Sequence, residues 1–235
     1  MRGLSEREIL PLWERGAGHG PLGRARALLA AACPELDEKG AAALTVGERD
    51  ALLIELRERS LGPALVGFVA CPECGEPLEL ELDSRQLRRA AASAPPSRPA
   101  ELVFSEERVR FRPLTCGDLE VVAAAADAEA ARRTLAQLCV LEPTDLSEDL
   151  IAVLSTALAE RDPGAEMLVG LTCPECGCAW ETVFDIVTFL WSEVTAYARR
   201  LLHEVAALAQ SFGWRESEIL ELTATRRRHY LELAS

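Results

Sequence analysis

A five-residue word, Cys71-Pro72-Glu73-Cys74-Gly75, occurs a second time as Cys173-Pro174-Glu175-Cys176-Gly177. Two cysteines with two residues between them place both sulfurs on one side of a tight turn. The glycine after the second cysteine permits positive φ, so the chain can wrap back and aim backbone N–H groups at the sulfurs. Each copy has the form of a zinc knuckle. One knuckle supplies two ligands, whereas a structural zinc takes four in a tetrahedron. The two copies can therefore make one closed site from Cys71, Cys74, Cys173 and Cys176, although residues 75–172 lie between them.

The likeness extends beyond the cysteines. At a constant offset of 102, Leu56, Glu58, Arg59 and Gly62 match Leu158, Glu160, Arg161 and Gly164. Glu79 and Asp83 match Glu181 and Asp185, while Leu78 and Leu82 fall on Trp180 and Phe184. The pattern reads as a duplicated unit of helix end, glycine turn, strand, knuckle and strand. A redox Cys-x-x-Cys normally opens a helix, and here a strand pattern follows each copy, which argues against thiol–disulfide chemistry. Four thiolates also suit an iron site of the rubredoxin kind, so iron stands beside zinc as an option. A closed four-thiolate site leaves no position for water or substrate, which argues for structure and against metal catalysis.

The formal net charge is −13. Sequence-independent binding to nucleic acid draws its affinity mainly from lysine and arginine on phosphates, so a chain this acidic is not expected to bind it. The first residues lack the apolar core of a signal peptide, and no apolar run approaches the ~18 residues needed to cross a bilayer. The expectation is a cytoplasmic protein with reduced cysteines. Cys33, Cys116 and Cys139 sit in apolar surroundings and read as small core residues. Cys178 follows Cys176 by two, a spacing the first knuckle lacks, and is left out of the ligand set.

The chain divides into an N-terminal helical region (1–64), a stretch with the two knuckle hairpins enclosing a further hairpin and helices (65–185), and a C-terminal helical region (186–235). Ser5 with Glu8 three residues on forms a capping box before Ile9, Leu10, Leu12 and Trp13. Pro21 opens a second helix with Leu22, Ala25, Leu28, Leu29 and Cys33, and a third begins near Val46. Leu78, Leu80 and Leu82 alternate with Glu79, Glu81 and Asp83 as a half-buried strand. A short helix follows to Ala92, then a proline-stiffened linker at 93–99. A hairpin spans 101–112, and helices follow from Thr115, over 127–140 and over 147–161. Asp185 caps the longest helix, about 186–211, whose apolar face carries Ile186, Phe189, Leu190, Val194, Tyr197, Leu201, Val205 and Leu208. Its length implies packing on the N-terminal helices or on a partner. His203 on it reads as a packing or surface residue. A helical hairpin ends the chain, with Arg226-Arg227-Arg228 read as a solvated face or a contact for an acidic partner. The fold class is α+β and mainly helical, with the two knuckle hairpins joined as a zinc-ribbon-like four-cysteine unit.

Three stretches carry a resemblance to a known family. They are the run from Leu44 to Leu53 with Leu56-Arg57-Glu58, the two knuckles with their strands, and a C-terminal block. That block runs from Phe189-Leu190-Trp191 through Leu201-Leu202-His203-Glu204-Val205 to Gly213-Trp214, Glu218-Ile219-Leu220, Arg226-Arg227 and Tyr230-Leu231. Together they resemble phage baseplate proteins of the T4 type, also known as baseplate hub assembly chaperones, of contractile phage tails and phage-derived contractile injection systems. The resemblance implies a non-enzymatic baseplate component or assembly chaperone whose partners are baseplate or tail-hub proteins. No membrane, nucleic acid or small-molecule substrate is implied. The residues agree: there is no nucleophile–base pair, no phosphate-cradling glycine loop and no His-x-Glu to accompany the Cys-x-x-Cys as in a zinc deaminase. The alternative, a zinc-ribbon regulator or nucleic-acid-binding protein, is opposed by the acidic balance.

Overall fold

Helix starts in this chain are written in its capping residues. In the computed structural model, which describes residues 1–92, 99–142 and 145–234, α1 (Glu6–Gly16) begins where Glu8 accepts the backbone N–H of Ser5 at 2.9 Å. The linker expected at 93–99 lies outside the described residues except for Pro99. Proline at the first position opens α2 (Pro21–Ala32), where a missing N–H costs nothing. A short α3 (Glu38–Ala43), not foreseen from sequence, starts where Asp37 accepts the N–H of Gly40 at 2.7 Å. Thr45 and Glu48 cap α4 (Val46–Leu61) reciprocally.

The first knuckle lies between β1 (Ala64–Ala70) and β2 (Pro77–Asp83), antiparallel with Leu65 opposite Leu82 and Val69 opposite Leu78. Leu78, Leu80 and Leu82 are half-buried while the acidic residues between them face water, as the alternation predicts. After α5 (Ser84–Ala92) comes the hairpin of β3 (Ala100–Phe104) and β4 (Glu107–Phe111). Its two turn residues, Ser105 and Glu106, have φ of 49° and 70°. Then follow α6 (Cys116–Val122), α7 (Ala128–Cys139), α8 (Glu148–Arg161) and a 3-10 turn at Pro163–Ala165. The second knuckle lies between β5 (Leu168–Thr172) and β6 (Ala179–Val183). The chain ends with α9 (Ile186–Phe212), α10 (Glu216–Glu221) and α11 (Ala224–Ala234). The fold is mainly helical, with three small two-stranded antiparallel sheets among the described residues.

Asp185 starts α9 by accepting the N–H groups of Val187 and Thr188, and Gly213, at φ 69°, ends it. At ~1.5 Å per residue this helix is about 40 Å long. Its N-terminal half packs on the N-terminal helices, with Leu12, Leu28, Leu53 and Ile54 meeting Leu190 and Val194. Further along, Ala198 and Leu201 meet Ile9 and Leu10 of α1, and Leu208 meets Ile219 of α10. Six of the eight residues expected on the apolar face are buried; Phe189 and Tyr197 are only partly so. Trp191 is buried as well, because α1 presents Gly16 to it: a Cβ at Gly16 would stand 2.1 Å from Cη2 of the Trp191 ring.

The three consecutive arginines require a correction. Arg226 and Arg228 face solvent, but Arg227 is buried and satisfied within the chain. Its guanidinium donates to Glu204 and to Glu6 at 2.9 Å each, and to the carbonyl of Leu222 at 2.8 Å. Helix periodicity turns every third or fourth residue inward, and the carboxylates waiting there let an arginine occupy that position. His203 is exposed, and no helix among the described residues is long and apolar enough to cross a membrane.

Candidate metal centre

The four cysteines of the repeated word come together at the tips of the two knuckle hairpins. All four sulfurs lie within 4.8 Å of one another. Across the hairpins, Cys71 faces Cys176 at 3.6 Å and Cys74 faces Cys173 at 3.7 Å. A disulfide would bring sulfurs to about 2.0 Å, and these cysteines are free thiols. A tetrahedron of thiolates at ~2.3 Å from a zinc ion has edges of roughly 3.8 Å, so the observed spacing suits chelation. Cys71 and Cys173 are buried, whereas Cys74 and Cys176 are exposed.

The two knuckles are local copies of one another. Cys71 donates its N–H to the carbonyl of Glu76 at 2.9 Å, and Cys173 donates to that of Cys178 at 2.8 Å. The carbonyls of Cys71 and Cys173 accept from Gly75 and Gly177, whose φ values are 75° and 73°. Only glycine adopts that conformation without strain, which is why it closes both copies. The sequence offset therefore reports equivalent backbone geometry at the turn. It does not do so at the matched pair Gly62 and Gly164. Gly62 ends α4 with φ 90°, whereas Gly164 is buried inside the 3-10 turn without positive φ. The two hairpins enter from different lead-ins.

Backbone N–H groups do point at sulfur. The N–H of Cys74 first, with burial opposing and the N–H of Glu73 adding to it, draws the Cys71 thiol down to about 6. The N–H of Glu76 pulls Cys74 the same way, but burial and the three neighbouring thiols outweigh it and push Cys74 up to about 12. The N–H of Cys178 and the thiols around Cys176 set up the same contest, which ends with Cys176 raised. Four sulfurs this close cannot all carry negative charge unless a cation sits among them. A divalent ion would displace the remaining protons and be held by the thiolates. Cys178 contributes its carbonyl to the knuckle, and its thiol, raised chiefly by burial, stays outside the group of four.

No family model, curated protein or solved structure matches the chain.

What holds the hairpins in place is a set of buried polar contacts that sequence reasoning did not single out. Asp162, just before the second hairpin, accepts the N–H of Gly47 at 2.9 Å and so ties that hairpin's entry to the start of α4. A side chain at position 47 would not fit, since its Cβ would lie 2.0 Å from Oδ1 of Asp162. Arg57 of α4 grips Glu193 of α9 through two nitrogens, at 3.0 and 2.7 Å. Earlier in α4, Arg49 and Asp50 pair at 2.7 Å, both buried. One helix thus carries the first hairpin on its C-terminal end, anchors the second near its N-terminal end and is pinned to α9. The available sequence signal was weak: Gly47 within the first turn of α4, and Arg49 and Asp50 as two among several charged residues of that helix.

Proposed function

We propose that this chain is a non-enzymatic assembly protein whose two halves are clamped by a structural zinc ion. It serves as a baseplate component or hub-assembly chaperone of a contractile phage tail or contractile injection system. The observation that carries the clamp is the meeting of four thiols, two from each hairpin, at the spacing of a thiolate tetrahedron. Zinc is preferred to iron because nothing in a structural clamp calls for a redox-active ion. Four protein thiolates fill the coordination sphere, so the ion would organise the fold and activate no water. The tail assignment draws on the three resembling stretches. Two of them, the α4 region and the α9 region, form one packed core here.

Two experiments test the two parts separately. Elemental analysis of the purified chain is expected to give one zinc per chain and a colourless solution; a coloured, iron-loaded protein would overturn the zinc reading. Mass spectrometry of purified particles from the producing strain, together with deletion of the gene, tests the tail reading. Presence in the particle makes the protein a component, and absence combined with failed assembly makes it a chaperone. Intact, infective or contractile particles from the deletion strain would overturn it.

A further inference from the structure

The two hairpins do not only share the cysteine cluster. Below their joined tips, they and the start of α9 enclose a groove of about 560 Å³. Its floor includes the rings of Phe184 and Phe189, with centroids 5.4 Å apart. Five consecutive residues of β1, 65–69, line it on one side, and 182–185, at the end of β6, line it on the other. Leu80 and Leu82 of β2 line it as well, on the same face of the hairpin as Leu65 and Gly67, so the groove runs under that face with consecutive residues of β1 along its border. β1 pairs with β2 alone, and among the described residues no backbone bond reaches 65–69 from outside the hairpin.

That edge lacks the usual protections. Exposed edges are normally blunted by lysine, proline, bulges or inward charges. β1 reads Ala-Leu-Val-Gly-Phe-Val-Ala, carries no charge and pairs in unbroken register. Phe68 is 77% exposed and Val66 48%. Their cross-strand partners are Glu79 and Glu81, and Glu181 stands on the exposed face of the second hairpin. These three glutamates make no ion pair among the described residues.

We infer that the β1 edge accepts an extended segment of a basic partner protein as an added strand, with apolar residues alternating with arginine or lysine. The strand's backbone would satisfy the free edge. The alternation would turn its cations to the face that carries Phe68, Glu79 and Glu81, and its apolar side chains to the opposite face, toward the aromatic floor. Charge selects this occupant over a second copy, because two chains each carrying −13 would set like charges against each other along this face. The inference does not depend on the tail assignment. It does use the joined hairpin tips, so metal content is measured on the same sample.

The test uses the zinc-loaded full chain and three synthetic heptapeptides: alternating arginine–valine, alternating glutamate–valine, and the arginine–valine peptide with a central proline. Fluorescence anisotropy is expected to show binding of the first and at least tenfold weaker binding of the other two. Amide NMR shifts should concentrate at residues 65–69. Phe68→Lys, on an exposed side chain, should weaken the arginine–valine peptide at least tenfold while leaving zinc content and melting temperature unchanged. Equal binding of all three peptides, shifts elsewhere, or no effect of Phe68→Lys overturns the proposal. So does a concentration-dependent dimer that Phe68→Lys abolishes, because the edge would then serve a second copy.

Discussion

Arg227 on the last helix donates to Glu6 on the first at 2.9 Å, across 221 residues of chain. Glu204 of α9 accepts from the same guanidinium, and Tyr197 of α9 donates its hydroxyl to Glu6. One arginine therefore joins the N-terminus, the long helix and the C-terminal helical hairpin.

Removing that cation leaves Glu6 without its cation and Glu204 with only the exposed Arg200, at 3.9 Å. Arg227→Met is expected to lower stability by about 2–4 kcal/mol in urea unfolding, because breaking one side of a buried pair strands the other. Adding Glu6→Gln and Glu204→Gln to that variant should recover much of the loss. If the triple variant is no better than the single one, packing of the arginine stem matters more than its charge.

The N-terminal cap gives a pH-dependent contribution. The Arg2 guanidinium, with Ser5 assisting against the cost of burial, holds the Glu8 carboxyl at about 2, down from 4.5. A depressed folded-state pKa adds stability that is fully present above about pH 4.5 and is lost as pH falls through about 2. Glu8→Gln should therefore be less stable than the parent chain at neutral pH. The gap should shrink between pH 4.5 and 2, as followed by thermal melts across that range.

Two glycines near the end of α1 should behave in opposite ways. Gly16→Ala drives a Cβ into the Trp191 ring, and its cost of about 1–3 kcal/mol should exceed the usual gain from alanine in a helix. Gly18→Ala meets nothing within 4 Å and should be close to neutral. Tryptophan emission should shift in the first variant and stay unchanged in the second.

Within the four-cysteine cluster, ligand and bystander should separate cleanly. Cys71→Ser and Cys173→Ser should each lose bound zinc and melt at a lower temperature, while Cys178→Ser should keep its full zinc content. Retention of full zinc by either of the first two would mean that the hairpins do not share one ion.

The repeated cysteine word made the centre legible because a knuckle is a local structure: its spacing and its glycine determine its own turn. Helix starts were legible for the same reason, from Ser5, Thr115 and Asp185. The short helix at Glu38–Ala43 was not, because one and a half turns show no hydrophobic period and include Gly40. Asp37 was its only sign. The inward turn of Arg227 could not be read at all. It depends on carboxylates 23 and 221 residues away, and no property of an Arg-Arg-Arg run distinguishes its middle member. Trp191 was displaced from the expected pattern for a similar reason, since its burial is decided by a glycine on another helix.

Splitting the ligands two and two, at an offset of 102 residues, also sets an order in time. At roughly 5–20 residues per second, the second knuckle leaves the ribosome about 5–20 s after the first. Throughout that interval Cys71 and Cys74 form a two-thiol chelator with no partner in their own chain. On the proposed zinc clamp, two such nascent chains would together offer one full set of four thiolates, so the misassembly expected of this protein is a metal-bridged pair joined through its first hairpins. Zinc supplied before synthesis is complete is then expected to favour that pair, and zinc supplied afterwards the monomer.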